Sequence, residues 1–146
     1  MEAAIFDWTR LGFFTGSRVS EYAQTTARKG TFSKVPDSLD AGDWLNTPIA
    51  FMYCDFSFYT KAGHRVAHHD LHRLGHTVHE FHVRFRFDKS PRNFTIRKFC
   101  RSGHTFLCPV LAAISIIVRA LALRVPRTCP IGLYRSSYLH AHAKSV

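Results

Sequence analysis

The stretch His79-Glu80-Phe81-His82-Val83-Arg84-Phe85-Arg86-Phe87 decides how this chain folds. Phe81, Val83, Phe85 and Phe87 fall on one side of a pleated backbone, and His82, Arg84 and Arg86 fall on the other. That two-residue period predicts a half-buried strand with a basic outer face. Asp88-Lys89-Ser90-Pro91-Arg92-Asn93 reads as a hairpin loop, and Phe94-Thr95-Ile96-Arg97-Lys98-Phe99 as the return strand. Upstream, Phe51 to Tyr59 is aromatic and partly alternating, which predicts another strand. Lys61-Ala62-Gly63 makes a turn, and Arg65 to Leu71 is a weaker second strand. The middle of the chain is thus a small antiparallel sheet of three to four strands.

Helical patterns flank the sheet. Ile5 to Gln24 reads as helical, with Ile5, Trp8, Leu11 and Gly12 on one face and Val19, Tyr22 and Ala23 continuing the stripe. Thr15-Gly16 marks a break, and Thr15 or Ser17 can cap the second helix. Thr25 to Pro48 is a long polar connection. Phe106 to Leu123 is almost wholly apolar and close to membrane-spanning length. Arg119 lies inside that run, where a membrane span would carry it at high cost. Pro109 suits the first turn of a helix. The expectation is a buried helix from Pro109 to Leu123. Arg124 to Pro130 breaks it, and the polar tail from Ser136 frays. The order is helices, sheet, helix, an α+β grouping. Residues 1–135 form one domain and residues 136–146 a flexible tail.

Composition narrows the partners. Across 146 residues, 20 Lys and Arg oppose 10 Asp and Glu, a formal charge of +10 with 10 His in reserve. Such a surface attracts polyanions, above all nucleic acid. Hydrophobic residues make up 46 %, including 13 Phe, which is enough for a real core and excludes a disordered composition. Cys54, Cys100, Cys108 and Cys129 are widely spaced and read as reduced thiols of an intracellular protein. The N-terminus has no basic region followed by an apolar one, so no secretory signal is expected. No Gly-rich phosphate loop, paired-carboxylate site or Ser-His-Asp arrangement stands out.

Phe13-Phe14-Thr15-Gly16-Ser17-Arg18-Val19-Ser20-Glu21-Tyr22 sets one arginine in a short apolar helix just after a Thr-Gly break. A guanidinium keeps its charge and offers a planar fork of donors, so it suits a phosphate. Glu21, at i+3, can hold it by an ion pair. The plain alternative is a surface arginine on an amphipathic helix. Lys89, at the hairpin tip, can reach a DNA groove or give a proton to a leaving oxygen. Its plain alternative is a solvated lysine that blunts a sheet edge.

The pattern Thr-Gly-x-Arg-apolar-Ser-Glu-apolar resembles the first conserved box of the tyrosine recombinases, the phage-integrase family. The resemblance runs from about Ala4 to Arg135. The aromatic strands, the Asp-Lys turn and the helix opened by Cys108-Pro109-Val110 look most like the integrase-type proteins of eukaryotic mobile elements. It implies that Arg18 grips the scissile phosphate and that a catalytic lysine sits on a hairpin of the following sheet. Lys89 takes that place because it joins the two strongest strands, with Lys61 as the other choice. The departures are as informative. No His-x-x-Arg follows Lys89, and Tyr134 and Tyr138 arrive before any such box. Covalent strand cleavage needs an activated tyrosine. The chain therefore reads as an incomplete recombinase core, the front part of a truncated element, without cleavage activity.

His64, His68, His69, His72, His76, His79 and His82 crowd nineteen residues. On a helix His64, His68 and His72 would share a face, a spacing known from zinc sites. Gly75 and the flanking strand patterns argue against one continuous helix, and the simpler reading is a polar, basic strand-and-turn face. The expected partner is duplex DNA, bound weakly and salt-dependently through Arg18, Arg84, Arg86, Lys89 and Arg92, with no metal, cofactor or membrane. Nuclear localisation and self-association through uncovered apolar surface follow from the same reading. The alternative is a histidine-rich zinc-binding or general protein-interaction module.

Overall fold

A computed structural model describes residues 2–16, 50–85, 95–127 and 131. Its elements are α1 (Glu2–Thr15), β1 (Phe56–Thr60), β2 (Arg65–Val66), α2 (Leu71–Leu74), β3 (Val78–Phe85), β4 (Thr95–Cys100) and α3 (Pro109–Ala122). The strands form one antiparallel sheet in the order β2-β1-β3-β4. Two long helices and this sheet make a small α+β fold. The hairpin loop, the second N-terminal helix and the tail predicted for residues 136–146 lie outside the described residues.

The alternation in β3 does what the sequence predicts. Phe81, Val83 and Phe85 are buried, and across the ladder Phe58 opposes Phe81 while Phe56 opposes Val83. Phe81 stacks between Phe58 and Phe99, with ring centroids 6.2 and 5.2 Å away. Each such buried side chain contributes about 1.5–3 kcal/mol by leaving water. The core is closed by α3, whose Val110, Ala113, Ile116, Ile117 and Ala120 are buried. Pro109 starts it, as expected. It ends in a hydrogen-bonded C-cap. Arg124 N–H donates to the Leu121 carbonyl at 2.9 Å and Val125 N–H to that of Ala120 at 3.0 Å, with Arg124 at φ 53°. No helix among the described residues is long and apolar enough to cross a membrane.

α1 ends at the predicted break. Gly16 takes φ 66° and donates to the Gly12 carbonyl at 2.8 Å. Thr15 belongs to the last turn, where its hydroxyl donates to the Leu11 carbonyl at 2.9 Å. The buried stripe is Ala4, Asp7, Trp8, Leu11 and Thr15, and the expected Ile5 is 57 % exposed. The rotation has a cause. Asp7 must reach Arg119, the charge set inside the apolar helix, and it also pairs with Arg10 at 3.0 Å. Arg10 in turn donates to the Phe106 carbonyl at 2.9 Å, just before α3 begins.

Two strand predictions need correction. β1 starts at Phe56 because Tyr53–Asp55 is a 3-10 turn. The buried Asp55 carboxylate accepts the Met52 N–H at 2.8 Å, which closes that turn. The segment from Arg65 to Leu71 is a strand only over Arg65–Val66. His68–Asp70 then forms a 3-10 turn and leads into α2. His68 Nε2 hydrogen-bonds the Phe56 carbonyl at 2.9 Å, which ties the turn to the start of β1. The Lys61-Ala62-Gly63 turn forms as predicted, with Gly63 at φ 82°.

Candidate nucleic-acid interface

Because α3 covers the inner face of the sheet, the alternate residues face outward. Register brings Arg65 beside Tyr59, Tyr59 beside Glu80, His82 beside Lys98 and Arg84 beside Ile96. Among the described residues three permanent cations, Arg65, Arg84 and Lys98, thus share this face with the Glu80 carboxylate, and Arg84 also meets the buried Asp55. The His82 ring bonds the Glu80 carboxylate and lies 4.4 Å from the Tyr59 ring centroid. That hydrogen bond is the main reason the Glu80 carboxyl is held below its ordinary pKa; slight burial opposes it and Lys98 assists.

Arg84 has a structural engagement. Its Nε and one terminal nitrogen lie 3.1 and 3.0 Å from the same oxygen of buried Asp55. A terminal nitrogen also reaches Cys54 Sγ at 3.5 Å. The pair secures the turn before β1 to the middle of the sheet. About a third of the Arg84 side chain stays exposed (37 %), so the basic face keeps part of this charge.

Arg97 marks the end of the sheet that matters most. Its guanidinium sits 4.8 Å over the Phe85 ring and donates to the Thr15 carbonyl at 3.2 Å. It therefore joins the C-terminal end of α1 to the last described pair of the β3–β4 ladder, Phe85 with Thr95. Arg18 lies two residues beyond Gly16, and Lys89 lies between Phe85 and Thr95. Arg97 thus touches one described residue before each of these positions, Thr15 before Arg18 and Phe85 before Lys89.

Arg18, Arg86, Lys89 and Arg92 themselves fall outside the described residues. Lys61 is exposed in its turn, at the opposite end of β1 from the Asp55 turn. The histidines do not share one helix: His64 precedes β2, His68 lies in a 3-10 turn and His72 is on α2. Among the described residues no group of three His, Cys, Asp or Glu side chains is placed to hold a metal ion. Cys54 and Cys100 are exposed and Cys108 is buried, and Cys129 lies outside the described residues. Sequence reasoning missed Arg97 and Asp55. Their only signals are a charge on the apolar side of an alternating strand and a carboxylate inside an aromatic run.

Comparison of the chain with protein-family models, with curated proteins and with solved structures gave no match.

Proposed function

We propose that this chain is a small nucleic-acid-binding module that grips the phosphate backbone of duplex DNA without cutting it. In this reading it corresponds to the front part of a tyrosine-recombinase-like core. One observation carries the proposal. Arg97 contacts both Thr15, which precedes Arg18 in sequence, and Phe85, which precedes Lys89. Two cations entering from adjacent anchors suit one phosphate, which a guanidinium fork and an ammonium can share. The outer sheet face adds Arg65, Lys98 and part of Arg84, and the net charge of +10 supplies long-range attraction. The residues named here are cations that hold a phosphate rather than nucleophiles that attack it, so binding is the chemistry this set of residues supports. The reading implies a nuclear setting. Salt-titrated binding of duplex DNA, in wild type and in Arg18→Ala and Lys89→Ala, tests it.

A second reading, self-association, rests on a separate observation. Phe6 (53 % exposed) and Phe106 (67 %) flank Arg10, and Phe13 on the same helix is 79 % exposed. Large rings left in water at this density favour contact with another apolar surface.

A further inference from the structure

The β2 edge, at the far side of the sheet from Arg97, borders a cleft of about 540 Å³. Tyr53, Arg65, Val66, Ala67, His68 and Arg127 line it. We propose that this cleft binds a phosphomonoester of nucleotide size, independently of the DNA reading. Its volume lies in the range of small-molecule sites, about 300–1,000 Å³. Arg65 and Arg127 are exposed and supply two planar donor forks, the preferred partners of a phosphate dianion. Val66, Ala67 and the Tyr53 ring offer an apolar wall for the rest of the ligand.

Charge and hydrogen bonding converge on the same point. No carboxylate is among the lining residues. The nearest acid on that turn, Asp70, is occupied by His69 at 3.4 Å and Arg73 at 3.5 Å. The lining thiol, Cys54, is engaged by Arg84. The Tyr53 hydroxyl is buried and lacks a hydrogen-bond partner among the described residues. Buried polar groups are nearly always paired, and an orphan beside a cleft marks a place for a ligand or ion. Burial pushes the Tyr53 pKa up to about 12 against the pull of Arg127, so at neutral pH the hydroxyl keeps its proton and can donate. The field of Arg127 also reaches His68, where it joins that of Arg65.

Calorimetric titration of the full chain with AMP, inorganic phosphate and adenosine tests the proposal. AMP and phosphate should bind and compete, and adenosine should not bind. Arg127→Ala should weaken AMP binding about tenfold or more, as expected for lost charge-assisted hydrogen bonds. Tyr53→Phe keeps the ring and should weaken it a few-fold. Lys61→Ala, in an exposed turn, should leave it unchanged. Far-UV circular dichroism verifies that each variant is folded. Absence of binding by both AMP and phosphate overturns the proposal. So does adenosine binding as tightly as AMP, or Lys61→Ala weakening AMP as much as Arg127→Ala. Arg65 belongs to both surfaces, but the duplex test reads Arg18 and Lys89 and the AMP test reads Arg127 and Tyr53, so either reading can fail without the other.

Discussion

Replacing Asp7 by alanine removes the acid that locks α1 to α3. The Asp7 side chain is 8 % exposed and its partners Arg10 and Arg119 are 9 % and 27 % exposed. Removing one member of a buried ion pair costs about 3–5 kcal/mol, because the stranded charge loses its partner in a poorly hydrated site. Arg119 is more than a quarter exposed and can recover some water, so the lower end, about 3 kcal/mol, is expected. Arg119 Nη1 and Arg10 Nε already lack partners among the described residues, which leaves little slack for rearrangement. For a domain of total stability about 5–15 kcal/mol the loss is large. With a urea m-value of about 1–3 kcal/mol/M, it shifts the unfolding midpoint by about 1–3 M. Urea titration followed by circular dichroism reads this directly. Arg119→Leu made in the Asp7→Ala background should cost much less than in wild type, because its partner is already gone. A midpoint loss under about 1 kcal/mol, or strict additivity of the two substitutions, would refute the view that this pair docks α1.

Three further outcomes follow from named geometry. Arg124 occupies the left-handed C-cap of α3, so Arg124→Gly should raise stability by about 0.5–1 kcal/mol in the same titration. Burial lowers the His68 pKa from its ordinary 6.5, opposed by the Phe56 carbonyl bond and aided by Arg65 and Arg127. The unfolded chain then binds more protons on the acid side, so stability is full above pH 6.5 and declines as pH falls through the folded value. Thermal melts from pH 7.5 to 5 should show this decline, reduced in His68→Gln. In sedimentation velocity, wild type should populate dimers or larger species and Phe13→Ser should shift it toward monomer; a monomeric wild type refutes self-association.

The parts of the fold readable in the sequence are those governed by local period and backbone chemistry. The alternation of Phe81, Val83 and Phe85 appears intact as the inner face of β3, and Pro109 opens α3 where its missing N–H costs nothing. The turn at Gly63 and the break at Gly16 follow from glycine's access to positive φ. The failures share a different cause. Ile5 looked like core until Asp7 needed Arg119, a contact spanning 112 residues. The aromatic run before Phe56 looked extended until Asp55 turned inward to meet Arg84, 29 residues away. His68 suggested a ligand or a strand, and instead it ties a turn to the backbone of β1. Buried polar groups choose partners by tertiary geometry, which no local pattern encodes. The basic character of the outer sheet face was legible from composition, whereas the contacts of Arg97 to Thr15 and Phe85 were not.

Duplex DNA binding across a salt series is the most direct measurement of the central idea, that two cationic segments anchored beside Arg97 hold one phosphate backbone. Each lost phosphate contact lowers the slope of log affinity against log salt by about 0.9. Arg18→Ala and Lys89→Ala should each reduce the slope by about that amount and lose affinity uniformly across sequences, while Lys61→Ala should leave it unchanged. Salt-independent binding, or wild-type slopes in both the Arg18 and Lys89 variants, would contradict it.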